Sequence, residues 1–171
     1  VRDGVEYFMI LSGDHLYNMD YNKFLDFHKE NRADISIAST SVSVYDASAF
    51  GIIESKQNVV TNFVEKPGVK YLKQVHRKSL DASMGIYIFN AKLLYELLEE
   101  DESNDFGSGI IPNALASRKV VHYTFCGYWE DIGTVKAFYD AHMKLCTGDS
   151  LSLRPIYNVP QELPPSEIKK C

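Results

Sequence analysis

The apolar positions of this chain fall into short blocks whose spacing switches between strand and helix periods. Tyr7 to Leu11 is a continuous apolar run without polar alternation, the pattern of a strand buried on both faces in a parallel sheet. Ser12-Gly13 ends it and the carboxylate of Asp14 follows at once. Ligands of open α/β sheets sit just beyond the carboxyl ends of strands, so Asp14 is either a site residue or a cap for the next element. Gly13, lacking a Cβ, permits close approach of a ligand or metal to the backbone. Tyr21, Phe24, Leu25 and His28 then recur at helical spacing, predicting a helix over 21–30 that Asp20 can cap. His28 on that face reads as a packing residue. Ile35 to Val44 is strand-like, and strand, helix and strand in that order mark a βαβ unit.

From Phe50 the pattern changes to two short strands, Phe50–Glu54 and Val59–Glu65, which predict an antiparallel hairpin through Ser55–Asn58. It ends at Glu65-Lys66-Pro67-Gly68. Pro67 disfavours the α region at Lys66, which predicts an extended Lys66 at the strand end. There it is either a phosphate contact or a solvated surface lysine. Val69 to Asp81, with Lys70, Lys73, Arg77 and Lys78, reads as a short helix or a loop. Ala82–Phe89 is a second apolar strand in which Gly85 marks a bulge or close backbone approach. Asn90 is positioned to cap a helix with Leu93, Leu94, Leu97 and Leu98 as its buried stripe. Glu99, Glu100, Asp101 and Glu102 form an acidic end that the helix dipole disfavours.

Asp105-Phe106-Gly107 leads into Ile110-Ile111-Pro112 and a helix over about 113–116, with Asp105 read as an N-cap or a site residue. Val120–Phe125 is a strand, broken by Gly127. Tyr128-Trp129-Glu130-Asp131-Ile132-Gly133-Thr134 carries the chain's one tryptophan and precedes a helix over about 135–145, packed through Val135, Phe138, Tyr139 and His142. Asp131 thus has the same setting as Asp14, a strand end. Two such carboxylates suit one Mg²⁺, which takes one or two protein carboxylates and fills its other positions with phosphate oxygens and water.

Composition narrows the function classes. The chain has 171 residues, 45% of them hydrophobic and 24% charged, enough for one globular domain with its own core. A formal net charge of −5 without a basic cluster argues against a nucleic-acid surface. Cys126, Cys146 and Cys171 have no CxxC spacing and read as free thiols of a reducing compartment. No apolar run reaches the ~18 residues that span a membrane, and no signal peptide opens the chain. Strand material begins almost directly after Val1, which predicts a chain incomplete at its N-terminal end.

Five motifs in register carry a resemblance: Ser12-Gly13-Asp14-His15-Leu16-Tyr17, Phe63-Val64-Glu65-Lys66-Pro67, Ser83-Met84-Gly85-Ile86-Tyr87, Asp105-Phe106-Gly107 with Ile110-Ile111-Pro112, and Tyr128 to Thr134. Their order and spacing resemble glucose-1-phosphate adenylyltransferase (ADP-glucose pyrophosphorylase) over essentially the whole chain. The resemblance implies an α/β, Rossmann-like nucleotidyltransferase (glycosyltransferase-A-like) domain with a mixed, mostly parallel sheet. Residues 1–147 would be its partial catalytic domain and residues 148–171 a linker to a C-terminal left-handed β-helix, with Leu151–Tyr157 and Leu163-Pro164-Pro165 as linker sequence.

Asp14 is then similar to the catalytic metal-binding aspartate and Asp131 to its partner on Mg²⁺. Lys66 resembles the lysine that binds the sugar phosphate, while Glu65, Ser83, Tyr87, Asp105 and Trp129 resemble substrate-site residues. The implied reaction joins ATP and glucose 1-phosphate into ADP-glucose with release of pyrophosphate, in glycogen or starch biosynthesis. It also implies a homo- or hetero-tetramer, in the bacterial cytoplasm or the plastid stroma. The family's Gly-rich nucleotide loop is not among these residues, so the fragment is expected to be inactive alone. Other sugar-nucleotide pyrophosphorylases and a non-catalytic regulatory subunit are the alternatives.

Overall fold

The computed structural model describes residues 4–100 and 105–147. The expected linker over 148–171, Cys171, Val1, and Asp101 and Glu102 of the acidic helix end lie outside the described residues. The chain forms two compact units, one of Val1–Ser12 with Tyr21–Cys126 and one of Gly13–Asp20 with Gly127–Cys171.

The first unit is built on a six-stranded sheet in the spatial order β1 (Tyr7–Ile10), β6 (Ser79–Asn90), β3 (Ile35–Ser43), β7 (Val120–Thr124), β5 (Val59–Val64), β4 (Ile52–Lys56). Helix α1 (Tyr21–Glu30) connects β1 to β3, as the alternation of patterns predicts. Both strands run antiparallel to β6, which lies between them, so β1 and β3 point the same way without touching. The only direct parallel ladder among the described strands is β3 with β7. The sheet is therefore mixed, and the expectation of a mostly parallel one is corrected. The physical reason is a late strand, β6, that inserts between the two arms of the βαβ unit, while β4 and β5 form a tight hairpin.

Among the described strands β1 pairs with β6, and its four residues are half-buried in this chain. A continuous apolar run is compatible with double burial but does not require it.

The core lies where the sheet meets helix α3 (Ala91–Glu100) and the short helix α4 (Ile111–Ala114) that follows it. Ile35, Ile37, Phe63, Phe89, Leu93, Leu94, Leu97, Ile110 and Ile111 pack into one cluster. Leu98, expected in that stripe, is 49% exposed, so the buried face is narrower than the leucine spacing suggests. Asn90, expected as the cap of α3, is the last residue of β6, and its amide donates to the Ala33 carbonyl. Its side-chain oxygen meets His28 Nε2 at 3.3 Å, and His28 Nδ1 pairs with Ser36 Oγ at 2.8 Å. His28 is 1% exposed, a core histidine as its helical position suggests. Burial holds its imidazole below the ordinary pKa.

Gly85 has a φ of +65° and sits where the β3–β6 register slips between Ile37 and Ser39, a bulge at the position the glycine marked. The basic stretch after Pro67 forms a single helical turn, α2 (Val69–Leu72), before β6 begins.

The second unit is a two-stranded antiparallel ribbon of β2 (His15–Tyr17) and β8 (Trp129–Asp131), followed by α5 (Val135–Thr147). Thr134 caps α5 by accepting the Ala137 N–H at 3.1 Å. The packing face predicted for α5 is corrected: Val135, Phe138 and Tyr139 are 87%, 50% and 61% exposed, and His142 is exposed. Ala141 is the buried residue of this helix. Helical spacing defines which residues share a stripe, not whether an element covers it.

Candidate functional site

The first unit gathers Glu65, Lys66, Ser83, Tyr87 and Asp105. Ser83 and Tyr87 lie either side of the Gly85 bulge on β6, which brings Ser83 Oγ to 3.4 Å from the Tyr87 hydroxyl. The Gly85 N–H donates to Ser83 Oγ at 3.2 Å, and the Ser83 N–H donates to the Gly51 carbonyl at 2.8 Å. The ring of Tyr87 packs against Phe106, with centroids 5.8 Å apart. Burial pushes the Tyr87 hydroxyl above its ordinary pKa, the Ser83 hydrogen bond opposes this, and the charges of Glu65 and Asp105 add to it.

Asp105 is the N-cap of a single wide helical turn at Phe106–Ile110, accepting the Ser108 N–H at 2.6 Å and the Ser108 hydroxyl at 2.8 Å. Those two bonds hold its carboxyl below the usual range. Capping is thus what the structure gives Asp105.

The Glu65 carboxylate is seated between two glycines. A Cβ on Gly107 would lie 2.6 Å from Glu65 Oε2, and one on Gly51 would lie 2.7 Å from the same oxygen. At both positions the carboxylate takes space that a side chain would fill, and at Gly51 the Phe63 ring takes it as well. Burial raises the pKa of Glu65, Lys66 opposes the rise, and Asp105 contributes to it. Lys66 Nζ is 3.9 Å from Glu65 Oε1 and its side chain is 69% exposed, so the pair contributes at most about 1 kcal/mol.

Lys66 is not extended, which corrects the expectation drawn from Pro67. Its φ is +44°, in the left-handed region, and its N–H donates to the Phe50 carbonyl at 3.1 Å. Proline on its C-terminal side disfavours the right-handed α region. The chain avoids that region by crossing to positive φ, which turns it out of β5. An unbranched lysine there stores about 1–2 kcal/mol.

The second unit brings Asp14 and Asp131 together. Asp131 ends β8, where its Oδ1 accepts the Gly133 N–H at 2.8 Å. Asp14 precedes β2, and its carbonyl accepts the Ile132 N–H at 3.0 Å, which extends the ribbon by one rung. A Cβ on Gly133 would lie 3.0 Å from Asp131 Oδ1 and 3.0 Å from Asp14 Oδ2. The two carboxylate oxygens are thus separated by at most twice that distance. Gly13, in contrast, has open space where its Cβ would be.

His15 stands directly across the ribbon from Asp131. Its Nε2 is 3.6 Å from Asp14 Oδ1 and 3.9 Å from Asp131 Oδ2. Trp129 is half-buried, and its indole N–H donates to His15 Nδ1 at 3.3 Å. Glu130, on the other face, receives the Tyr128 hydroxyl and Lys144 Nζ at 2.9 Å. Burial acts to raise its pKa, but those bonds hold it below the ordinary carboxylate value.

Two convergent carboxylates are hard oxygen donors, the set that suits a divalent cation whose other positions belong to phosphate and water. Among the described residues, no group of three or more His, Cys, Asp or Glu side chains is arranged to hold a metal ion. Sequence reasoning missed Gly51, Gly107, Gly133 and the place of His15 beside both carboxylates. A signal existed for two of the glycines: Asp105-Phe106-Gly107 and Asp131-Ile132-Gly133 both place glycine two residues after a carboxylate.

The family profile described as nucleotidyl transferase matches residues 1–148. A glucose-1-phosphate adenylyltransferase of Clostridium perfringens is 48% identical over 86% of this chain and 38% of its own length. One from Fusobacterium nucleatum is also 48% identical, over 85% of this chain and 38% of its own length. One from Bacillus mycoides is 45% identical over 95% of this chain and 45% of its own length. The chain spans less than half the length of these relatives. With the profile covering nearly all of its length and the carboxylate pair in place, the chain belongs to the nucleotidyl transferase family.

Proposed function

We propose that this chain is part of a glucose-1-phosphate adenylyltransferase, forming ADP-glucose and pyrophosphate from ATP and glucose 1-phosphate. The observation that carries the reading is the convergence of Asp14 and Asp131 on one point beside Gly133. The name shared by the bacterial relatives supports the adenylyl and glucosyl specificity. Among the described residues, no helix is long and apolar enough to cross a membrane. Residues 1–147 serve as the catalytic portion and 148–171 as a linker toward a β-helix, within a tetramer.

Asp14 and Asp131 would hold the divalent cation, Mg²⁺ in this reading, which neutralises charge on the phosphate groups when bound. In the first unit, Lys66 holds the sugar phosphate as a point charge. Glu65 accepts from a sugar hydroxyl, with Ser83, Tyr87 and Asp105 fixing the contour around it. Trp129 lies at the substrate site of the second unit. No side chain is required as a nucleophile, because the sugar phosphate itself attacks and the protein supplies position and charge.

The test is product formation from ATP, glucose 1-phosphate and Mg²⁺. It is run on the 171-residue chain and on a chain of the relatives' length that contains it. The longer chain is expected to make ADP-glucose and the shorter one none. Preference for another nucleoside triphosphate would refute the adenylyl reading. Within the active form, Lys66→Ala mainly raises KM for the sugar phosphate, whereas Asp14→Asn mainly lowers kcat. Equal kcat losses in the two variants would remove this division of roles.

A further inference from the structure

The basic stretch after Pro67 is a sequence feature that the proposed reaction leaves unused. Residues 69–78 carry Lys70, Lys73, Arg77 and Lys78 without an acidic residue, in a chain whose formal net charge is −5. The fold turns this stretch into an arch. At one end the Tyr71 N–H donates to the Gly68 carbonyl at 3.0 Å, and at the other the Lys78 carbonyl accepts the Val44 N–H at 3.2 Å. Between those ends the Tyr71 hydroxyl donates to Glu54 Oε1 at 2.6 Å, which ties the arch to β4.

Arch and hairpin enclose a cavity of about 540 Å³. That is the size of a small-molecule site, typically about 300–1,000 Å³. Its lining residues all belong to the first unit. Ile53 and Leu80, both buried, and the half-buried Val75 form its apolar part. Lys56, His76 and Arg77 line it from exposed positions. Glu54 is the one carboxylate among the described lining residues, and it already accepts the Tyr71 hydroxyl. Burial, then the Glu54 bond and charge, push that hydroxyl up to about 12, and the Arg77 charge acts against the rise. The guanidinium is therefore felt at the Tyr71–Glu54 pair. Among the described residues, neither Lys56 nor Arg77 forms a salt bridge.

We propose that this cavity is a ligand site for a small organic anion, with the charged group at Arg77, Lys56 and His76 and an apolar body against Ile53, Val75 and Leu80. Its described lining shares no residue with the group assigned to glucose 1-phosphate, so it is a second site. An arginine fork takes paired oxygens of a phosphate or carboxylate, and a lysine adds a point charge. The apolar part selects against bare inorganic ions, and the cations select against neutral apolar molecules. Phosphate esters and carboxylates share the required chemistry.

The experiment titrates the 171-residue chain with phenyl phosphate and follows amide ¹H–¹⁵N spectra. Phenylacetate, inorganic phosphate and phenol are separate arms. At least one of the two organic anions should shift the Ile53, Tyr71, Val75 and Leu80 amides saturably. It should bind roughly tenfold or more tightly than inorganic phosphate or phenol, each of which supplies half of the contacts. The tighter of the two organic anions identifies the charged group that the site takes. Arg77→Gln should weaken binding about tenfold, the loss of one charge-assisted contact. Lys70→Gln, on the same arch but outside the lining, should bind within twofold of wild type.

The proposal is overturned if neither organic anion shifts those four amides saturably, or if inorganic phosphate binds as tightly as phenyl phosphate. It is also overturned if Arg77→Gln binds like wild type, or if Lys70→Gln weakens binding equally, since diffuse surface charge would then explain the attraction. Shifts confined to Lys66, Ser83 and Tyr87 would send the anion to the group assigned to the sugar phosphate. The second site would then fall while the proposed reaction stands.

Discussion

Gly107→Ala and Gly51→Ala press on the same oxygen of Glu65 from two sides, yet they should fail in different ways. At Gly107 the new methyl would sit 2.6 Å from Glu65 Oε2 and 3.1 Å from its Cδ. Recovering an ordinary contact of 3.4 Å requires the carboxylate to retreat by most of an ångström. That carboxylate is the free end of a flexible side chain that is 30% exposed, so it can swing at a cost of about 0.5–1.5 kcal/mol. Alanine in a helical turn recovers roughly 0.5–1 kcal/mol relative to glycine. The two terms nearly cancel, and Tm should move by no more than about 2–4 °C.

At Gly51 the methyl collides with Phe63 Cζ and lies 2.8 Å from its Cε1. Phe63 is 6% exposed within the main core, so its ring has nowhere to go. Overpacking of this kind costs about 1–3 kcal/mol, and no helical gain offsets it. Neither glycine adopts a left-handed φ, so the contrast is one of space alone.

Sugar-phosphate binding should reverse the order of severity. With its carboxylate displaced, Gly107→Ala loses a charge-assisted hydrogen bond of about 1.5–3 kcal/mol, roughly a 10–100-fold drop in affinity. Thermal unfolding and calorimetric titration with glucose 1-phosphate measure both quantities. Wild-type affinity in Gly107→Ala would remove Glu65 from the sugar site. Equal losses of Tm in the two variants would refute the packing argument.

Three further outcomes follow from the same geometry. Lys66→Gly should be more stable than Lys66→Ala by about 1 kcal/mol, because glycine accepts the +44° φ that alanine does not, while both lose the sugar-phosphate contact; urea midpoints compare them. His28, held below the ordinary 6.5 by burial, binds its proton more readily in the unfolded chain. Its contribution to stability is therefore present above pH 6.5 and lost as pH falls toward the lowered value, and His28→Gln should flatten urea midpoints across that window. Glu65 has the opposite sign. Its raised folded pKa makes stability fall as pH rises from 4.5 through that value, a slope that Glu65→Gln should remove.

Local chemistry was the legible part of this chain. The helix at Tyr21–Glu30, the β4–β5 hairpin, the bulge at Gly85 and the convergence of Asp14 with Asp131 all follow from spacing, turn residues or motif order. What escaped was decided by partners distant in sequence. The antiparallel course of the sheet is one case: β6 comes late in the chain yet lies between β1 and β3. The α5 stripe is similar: Val135, Phe138 and Tyr139 lie on one helical face, and that face is exposed.

Lys66 shows why a sound local rule can still predict the wrong conformation. A following proline excludes the right-handed α region, but that exclusion leaves two allowed regions, and the extended one is merely the commoner. Here the backbone has to leave β5 while the Lys66 N–H still reaches the Phe50 carbonyl, and the residue takes the left-handed solution. The cost of that solution is stored beside Glu65, in the group assigned to the sugar phosphate. Strained backbone of this kind persists where the surroundings over-determine it. Arg32 and Gln57 hold the same left-handed φ at turns away from the candidate site, so at Lys66 the conformation is explained by the backbone: it turns the chain out of β5 while the Lys66 N–H stays bonded to the Phe50 carbonyl.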